Sequence, residues 1–340
     1  MKFLLAPIAW IYGFVVWLRN LLYDDHILHS TQVSIPTICV GNLAVGGTGK
    51  TPMAEYLISL LSSDYKVALL SRGYGRKTKG FRIANEHDTA QTIGDEPMQI
   101  HTHFPDIPVA VCADRVKGVK RLQQLYPDLQ CVILDDAYQH RKLRCGFYVL
   151  LTPYDCLYTN DHLLPWGRLR DLPNQSHRAN VVVVTKCPSQ MQPIDRRIVS
   201  NALHLASYQH LVYSSIGYAP IALNGTPLLV TGIANPLPLL EHLKAQCPDT
   251  ELLAFPDHHV FTKHDIAQIM HKAEQYSCVV TTEKDYMRLL QTPLVEQLGN
   301  KLQVLAIQTD LGIDKEAFDR QILLYVSENN RKLSTANCQL

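Results

Sequence analysis

A chain of 340 residues, 46% hydrophobic and 19% charged, has the composition of a folded globular protein with room for two ordinary domains. Its 32 basic and 31 acidic residues leave a formal charge of +1, so the basic excess of a nucleic-acid-binding surface is missing and no nucleic-acid partner is expected. The nine cysteines include no Cys-x-x-Cys pair, and Cys39, Cys131 and Cys278 fall in apolar runs. They read as reduced core thiols in a cytosolic setting, which excludes a disulfide framework or a zinc site.

The N-terminus is the least ordinary segment. From Phe3 to Leu18 every residue is apolar or small apart from the amphipathic ring of Tyr12, and Arg19 and Asn20 then break the run before Leu21, Leu22 and Tyr23. A bilayer-spanning helix needs about 20 apolar residues, so the run is slightly short; it also carries Pro7 and Gly13. Lys2 precedes it as in a signal peptide, but no small-x-small cleavage site follows. Trp10, Tyr12 and Trp17 suit the headgroup region, so residues 1–23 are expected to form a helix in or against a membrane surface.

Val33–Val40 is a β-branched run closed by Gly41, and a glycine-rich loop follows it. Met53–Leu61 reads as the helix that the loop opens. Val67–Leu70 is the next strand, ending in Ser71-Arg72-Gly73-Tyr74-Gly75, and Pro108–Cys112 is another. Arg115–Leu125 has helical periodicity, Val132–Leu134 is a strand closed by Asp135-Asp136, and Tyr148–Leu151 and Val181–Val184 continue the series. Short apolar strands alternating with helices predict an α/β fold: a P-loop NTPase-type, mostly parallel sheet flanked by helices, over residues 24–218. A second alternation predicts a smaller C-terminal α/β lobe over residues 219–328. Its strands are Leu228–Val230, Cys278–Thr281 and Leu302–Ile307, and its helices Pro236–Leu243 and Ile266–Ala273. Residues 329–340 read as a polar, frayed tail.

The chemistry starts at Ala44-Val45-Gly46-Gly47-Thr48-Gly49-Lys50-Thr51. A Walker A loop reads Gly-x-x-x-x-Gly-Lys-Ser/Thr; its backbone N–H groups cradle phosphates, its Lys reaches the β/γ oxygens and its hydroxyl binds Mg²⁺. Ala44 stands where the first glycine is expected, and Gly46 and Gly47 supply the flexibility instead. Asp135 or Asp136, at a strand end, is the Walker B candidate for Mg²⁺, and the sequence leaves open which one touches the metal. Thr185-Lys186 resembles the start of a guanine-recognition motif, but the position of its Asp is Pro188, which favours ATP. In parallel sheets the chemistry collects at the carboxyl ends of strands. Arg72 and Tyr74, Gly94-Asp95-Glu96-Pro97, and the Leu164–Arg170 loop are expected near that edge, where a phosphorylated substrate and a hydroxyl nucleophile would require them. In the second lobe, Asp257-His258-His259 offers a single His paired with a carboxylate more readily than a two-His metal clamp, because adjacent side chains diverge.

These motifs together resemble the tetraacyldisaccharide 4'-kinases of lipid A biosynthesis. The resemblance runs in order from the apolar N-terminus through Val40-Gly41-Asn42, Val45–Pro52, Leu70–Gly75, Gly94–Pro97 and Asp114-Arg115. It continues through Asp135-Asp136-Ala137-Tyr138-Gln139-His140, Leu164-Pro165, Leu169-Arg170, Gly232–Pro236, Asp257-His258-His259 and Thr282-Glu283-Lys284-Asp285. Ala137-Tyr138 in place of Gly-Phe, Asp171 in place of Glu and Asn180 in place of Asp depart from the pattern. The resemblance implies a kinase on the cytoplasmic face of a bacterial inner membrane. It would move the γ-phosphate of ATP to the 4'-hydroxyl of an acylated glucosamine disaccharide 1-phosphate. It further implies Lys50 and Thr51 on phosphate and Mg²⁺, Asp95 as base and His258 as its partner. Arg72, Tyr74, Arg115, Gln139, His140 and Arg170 would then contact substrate. The rival reading is a regulatory or metallochaperone P-loop ATPase, which leaves the apolar N-terminus and His258 without a role.

Overall fold

The computed structural model describes residues 5–337 apart from 222, 224, 258 and 291. The first lobe is built on an eight-stranded sheet. Its strands are β1 (Thr37–Asn42), β2 (Val67–Ser71), β3 (Arg82–Ile83), β4 (Val109–Val111), β5 (Cys131–Asp135), β6 (Phe147–Pro153), β7 (Val181–Thr185) and β8 (His210–Tyr213), in spatial order β8-β7-β6-β1-β5-β2-β4-β3. Every pairing is parallel except β3 with β4. The central strands β1, β2, β5 and β7 are buried at every position, because helices cover both faces; that is why they read as unbroken apolar runs without alternation. Around this sheet lie α1 (Ala6–Asp24), α2 (Lys50–Leu61), α3 (Asp95–His103), α4 (Arg115–Leu125) and α5 (Pro193–Leu203).

A two-stranded antiparallel ribbon joins the lobes. Its outgoing strand is β9 (Ser215–Tyr218) and its returning strand is the last of the chain, paired Ser215 to Asp310. The second lobe holds a four-stranded, all-parallel sheet of β10 (Pro227–Thr231), β11 (Glu251–Ala254), β12 (Cys278–Thr282) and β13 (Leu302–Leu305), in order β11-β10-β12-β13. Its helices include α6 (Leu237–Gln246), α7 (Lys263–Ala273) and α8 (Glu283–Leu289). The strand expected at Leu302–Ile307 is therefore two: β13 closes the small sheet, and β14 (Ile307–Asp310) is the ribbon's return.

At the C-terminus, residues 329–337 of the expected frayed tail are helical, and 338–340 lie outside the described residues. A helix, α9, runs from Lys315 to Asn337 and packs back on the first lobe. Phe318, Ile322 and Val326 fall on one face at helical spacing and are buried among Ile38, Phe147 and the α2 side chains. The Tyr325 hydroxyl accepts from the Thr37 amide at 3.1 Å and donates to the Thr37 carbonyl at 3.2 Å. The segment after the ribbon thus belongs to the first lobe's core.

Helix α1 buries Ala9, Gly13 and Asn20 and leaves a wide apolar face in solvent. Trp10 is 73% exposed and Trp17 46%, with Ile8, Ile11, Phe14, Val15, Leu18 and Leu21 beside them. Among the described residues, no helix is long and apolar enough to cross a membrane. The polar side of α1 is bolted to the first lobe. Tyr12 donates to the Arg170 carbonyl at 2.9 Å, Asn20 to Asp171 at 2.7 Å, and Arg19 to the Gln139 carbonyl at 2.9 Å.

Candidate active site

The phosphate loop leaves β1 at Asn42 and enters α2 at Lys50. Its left-handed positions, Gly46 (φ 109°) and Gly49 (φ 87°), are both glycine, where a side chain would strain the backbone. Ala44 needs no such freedom. It is buried and bridged to Leu169, while the Val45 amide donates to the Arg168 carbonyl at 2.8 Å and the Arg170 amide to the Leu43 carbonyl at 2.8 Å. The first part of the loop is therefore zippered to residues 168–170, which explains why alanine replaces the usual glycine. Asn42 pins the far side, donating to Thr48 Oγ1 at 2.7 Å, and Thr185 donates to the Thr48 carbonyl at 2.9 Å. The Val45–Gly47 stretch is exposed, and Lys50 and Thr51 open α2 beneath it.

Asp135 and Asp136 sit at the end of β5, beside this loop, in opposite states. Asp135 is fully buried, and its Oδ1 has no hydrogen-bond partner among the described residues. Burial, with the charges of Glu96 and Asp136 added, pushes its pKa up to about 7. Asp136 takes a left-handed backbone (φ 49°), unusual for a residue with a side chain and a sign of local constraint at a working site. Burial opposes its charge, but hydrogen bonds from Arg170 and the charge of Lys50 hold its pKa down to about 2. Arg170 grips both carboxylate oxygens, Nη1 at 3.1 Å and Nη2 on the other, and Lys50 Nζ lies 3.9 Å away. Carboxylate and hydroxyl oxygens are a donor set that suits Mg²⁺, and Thr51, Asp135 with its orphaned Oδ1, and Asp136 are the residues that would hold it.

Across from the acidic pair, α3 and α8 face each other at the lobe boundary. Asp95 and Glu96 form the first turn of α3. Arg288 donates to Asp95 Oδ2 through Nε at 2.9 Å and Nη2 at 2.6 Å, and Lys284 donates to Glu96 at 2.8 Å. Burial disfavours the charge on Lys284, yet Glu96 beside it raises its pKa, while Lys284 in turn lowers that of Glu96. Asp285, fully buried, braces Arg288. Its Oδ2 accepts from Thr231 at 2.7 Å, the Gly232 amide at 2.9 Å and Thr282 at 2.7 Å, and its Oδ1 from Arg288 at 3.0 Å. Farther along α3, His103 lies between Glu283 at 2.9 Å and Glu55 at 3.1 Å, and these two carboxylates push its pKa up to about 10.

The structure brings Asp95, the phosphate loop and the acidic pair to one sheet edge, where two of the expected substrate contacts bond backbone carbonyls. Arg115 is buried, its guanidinium donating to the carbonyls of Cys112 at 3.0 Å, Ala113 at 3.1 Å and Asp136 at 3.2 Å. It holds the backbone of the acidic pair. The Gln139 amide is likewise taken up by the Asn42 carbonyl at 2.7 Å. Arg72 and Tyr74 are exposed on the turn after β2. His140 is half-buried, and burial followed by the Arg115 charge pulls its pKa below the ordinary imidazole value. The expected partner His258 lies outside the described residues. Its neighbour His259 bonds Asp265 at 2.9 Å at the start of α7 and stacks on Phe255.

Three functional candidates carry little signal in the sequence. Lys284 stands in the Thr282–Asp285 motif and Arg288 follows it only as a charged residue after a buried strand, and neither is marked there as the partner of a carboxylate on α3. Lys186 reads solely as part of a guanine motif. A Cβ on Gly47 would lie 4.0 Å from its ammonium, and burial lowers its pKa. Its left-handed backbone (φ 58°) at the end of β7 is a structural mark that sequence does not carry.

Comparison with known proteins places this geometry. The family model described as tetraacyldisaccharide-1-P 4'-kinase matches residues 1–327. A tetraacyldisaccharide 4'-kinase of Bacteroides thetaiotaomicron is 43% identical over 97% of this chain and 94% of its own length. One from Flavobacterium johnsoniae is 44% identical over 96% of this chain and 97% of its own length. Among solved structures, LpxK from Aquifex aeolicus in complex with ATP superposes with a TM-score of 0.73 at 24% identity, covering 96% of this chain and 99% of that one, and so shares its fold. The chain belongs to the tetraacyldisaccharide-1-P 4'-kinase family.

Proposed function

We propose that this protein transfers the γ-phosphate of ATP to the 4'-hydroxyl of a tetraacylated glucosamine disaccharide 1-phosphate, a step of lipid A biosynthesis, at the cytoplasmic face of the bacterial inner membrane. One observation carries the reading. The exposed apolar helix α1 is bonded through Tyr12 to the backbone of Arg170, whose guanidinium grips Asp136 beside the phosphate loop. A surface suited to a lipid thus meets a surface suited to a nucleotide at one residue. ATP is made and held in the cytoplasm, which sets the side of the membrane.

Lys50 and the exposed amides of Val45, Gly46 and Gly47 would receive the phosphates, with Thr48 and Gly49 shaping the loop. Thr51, Asp135 and Asp136 would hold Mg²⁺, which supplies charge neutralisation as the phosphoryl group moves. Asp95 would accept the proton of the 4'-hydroxyl, with His258 beside it. Arg170 and Lys284 are placed to face the charge developing on the transferred group. Because phosphoryl transfer demands mainly positioning and electrostatic stabilisation, fixed cations on rigid elements are what the chemistry needs. Residues 24–218 with α9 would form the donor lobe, and the small lobe would bring Lys284 and Arg288 to the acceptor carboxylates.

Incubation of the purified protein with labelled ATP, Mg²⁺ and the acylated acceptor tests the proposal. Label should move to the acceptor, and Asp95→Asn should lower that rate by orders of magnitude. Phosphate release to water that ignores the acceptor would favour an ATPase and overturn the kinase reading.

A further inference from the structure

A second feature lies apart from the phosphate loop. A cleft of about 520 Å³ opens between α4 and the segment that follows α1, lined by His29, Asp114, Lys117, Lys120, Arg121 and Lys142 among others. Lys117, Lys120 and Arg121 are spaced to share one face of α4. Lys142 comes from the opposite wall, where the Thr31 amide donates to its carbonyl at 2.7 Å. Four cations therefore converge from two segments in a chain whose formal charge is only +1. Among the described residues none of the four is in an ion pair. The one carboxylate present, Asp114, is engaged as the N-cap of α4, accepting from the Lys117 amide at 3.1 Å.

The chain leads from the apolar helix α1 directly to the cleft. Arg141, the residue before Lys142, ties down the end of α1 through Asn20 and Asp24, with its guanidinium over the Tyr23 ring. The chain then exposes Ile27 (64%) and Leu28 before reaching His29 at the cleft. An apolar face ending in a cluster of unpaired cations is the pattern by which a protein lies on an anionic bilayer. We propose that this cleft binds the phosphate headgroup of an anionic phospholipid of the membrane on which α1 rests. The inference deepens the membrane reading above and rests on it. Such a site would set the orientation of the protein on the membrane, where α1 alone would leave it free to roll.

Vesicle sedimentation tests this with three proteins: the wild type, Lys117→Gln/Lys120→Gln/Lys142→Gln, and Trp10→Ser/Trp17→Ser. Vesicles are phosphatidylcholine alone or phosphatidylcholine with phosphatidylglycerol. The triple variant should lose about 100-fold in partitioning to the anionic vesicles, at about fivefold per basic residue, and nothing on neutral ones. The tryptophan variant should lose binding on both. These exposed lysines support no core, so the thermal midpoint should stay unchanged and confirm folding. Wild type that binds both vesicles equally, or a triple variant that matches wild type on anionic vesicles, refutes the headgroup site alone. Wild type that binds neither refutes the membrane reading with it. In detergent micelles free of phospholipid, the triple variant should keep the wild-type KM for the acceptor. A raised KM there would overturn the proposal by assigning the cleft to the acceptor's own 1-phosphate.

Discussion

Replacing Asp135 by asparagine should stabilise the metal-free protein while abolishing phosphoryl transfer. Asp135 is fully buried with its Oδ1 orphaned. Its pKa is pushed up from 3.8 to about 7 by burial, then by Glu96 and Asp136. Between those values the folded protein holds a proton that the unfolded chain releases, so stability falls as pH rises through the window. At about 1.4 kcal/mol per pH unit, the accumulated loss above about pH 7 is on the order of 4 kcal/mol. The asparagine side chain has no charge to desolvate and lacks this slope. Unfolding 340 residues carries about 0.7 kcal/mol/K of entropy. Relative to wild type in the presence of a chelator, the Asp135→Asn midpoint should therefore rise by about 6 °C between about pH 4 and about pH 8. Calorimetry of both proteins across that range reads the difference, because the titrating groups distant from Asp135 cancel. A difference independent of pH would refute the buried, proton-holding carboxylate. Adding Mg²⁺ and ATP should then stabilise wild type more than the variant, since a binder of the folded state stabilises in proportion to its affinity.

Lys50→Ala should lower transfer by about 10²- to 10³-fold with little change in the thermal midpoint, because the lysine faces the phosphate loop and supports no core. Arg288→Gln should reduce kcat and leave the affinity for ATP unchanged in a nucleotide-binding assay, with Arg288→Lys restoring part of the rate; an unchanged kcat would separate the Arg288–Asp95 ion pair from catalysis. Gly41→Ala should destabilise by about 1–3 kcal/mol in thermal unfolding through overpacking, because an added Cβ would stand 2.5 Å from Tyr138 Cβ.

Those parts of the site that depend on local chain chemistry were legible in the sequence. The phosphate loop is one, since Gly46 and Gly49 occupy left-handed positions that glycine adopts freely, and a buried strand precedes them. The acidic pair is another, because a solvated end to an apolar run marks the edge of a sheet. Long-range pairing was not legible. Lys284 meets Glu96 across 188 residues and Arg288 meets Asp95 across 193, so nothing near either cation announces its partner. Arg115 and Gln139 show the related ambiguity, because in sequence a polar side chain near a phosphate loop looks alike whether it faces solvent or backbone carbonyls. Composition read residues 329–340 as a polar, frayed tail, yet as far as Asn337 they continue the helix whose earlier stripe, Phe318, Ile322 and Val326, packs against the first lobe.

The charges around the loop have a consequence for how the two lobes work together. Lys50 and Arg170 lie against Asp136, Lys284 against Glu96, and Arg288 against Asp95, so the cations and carboxylates of the site neutralise one another. A nucleotide's phosphates would compete for cations already in place, and binding becomes an exchange of partners with little movement of the positive groups. Preorganised charge of this kind costs no reorganisation when the phosphoryl group moves. Two of those four pairings join α3 to α8, and Asp285 locks Arg288 of α8 to the small sheet through Thr231 and Gly232. The placement of the small lobe thus sets the position of Asp95's partner directly. Cutting the brace with Asp285→Ala should lower kcat more than it weakens ATP binding, even though Asp285 touches neither the phosphate loop nor the acidic pair. Equal losses in both would show that the brace serves only the stability of the small lobe.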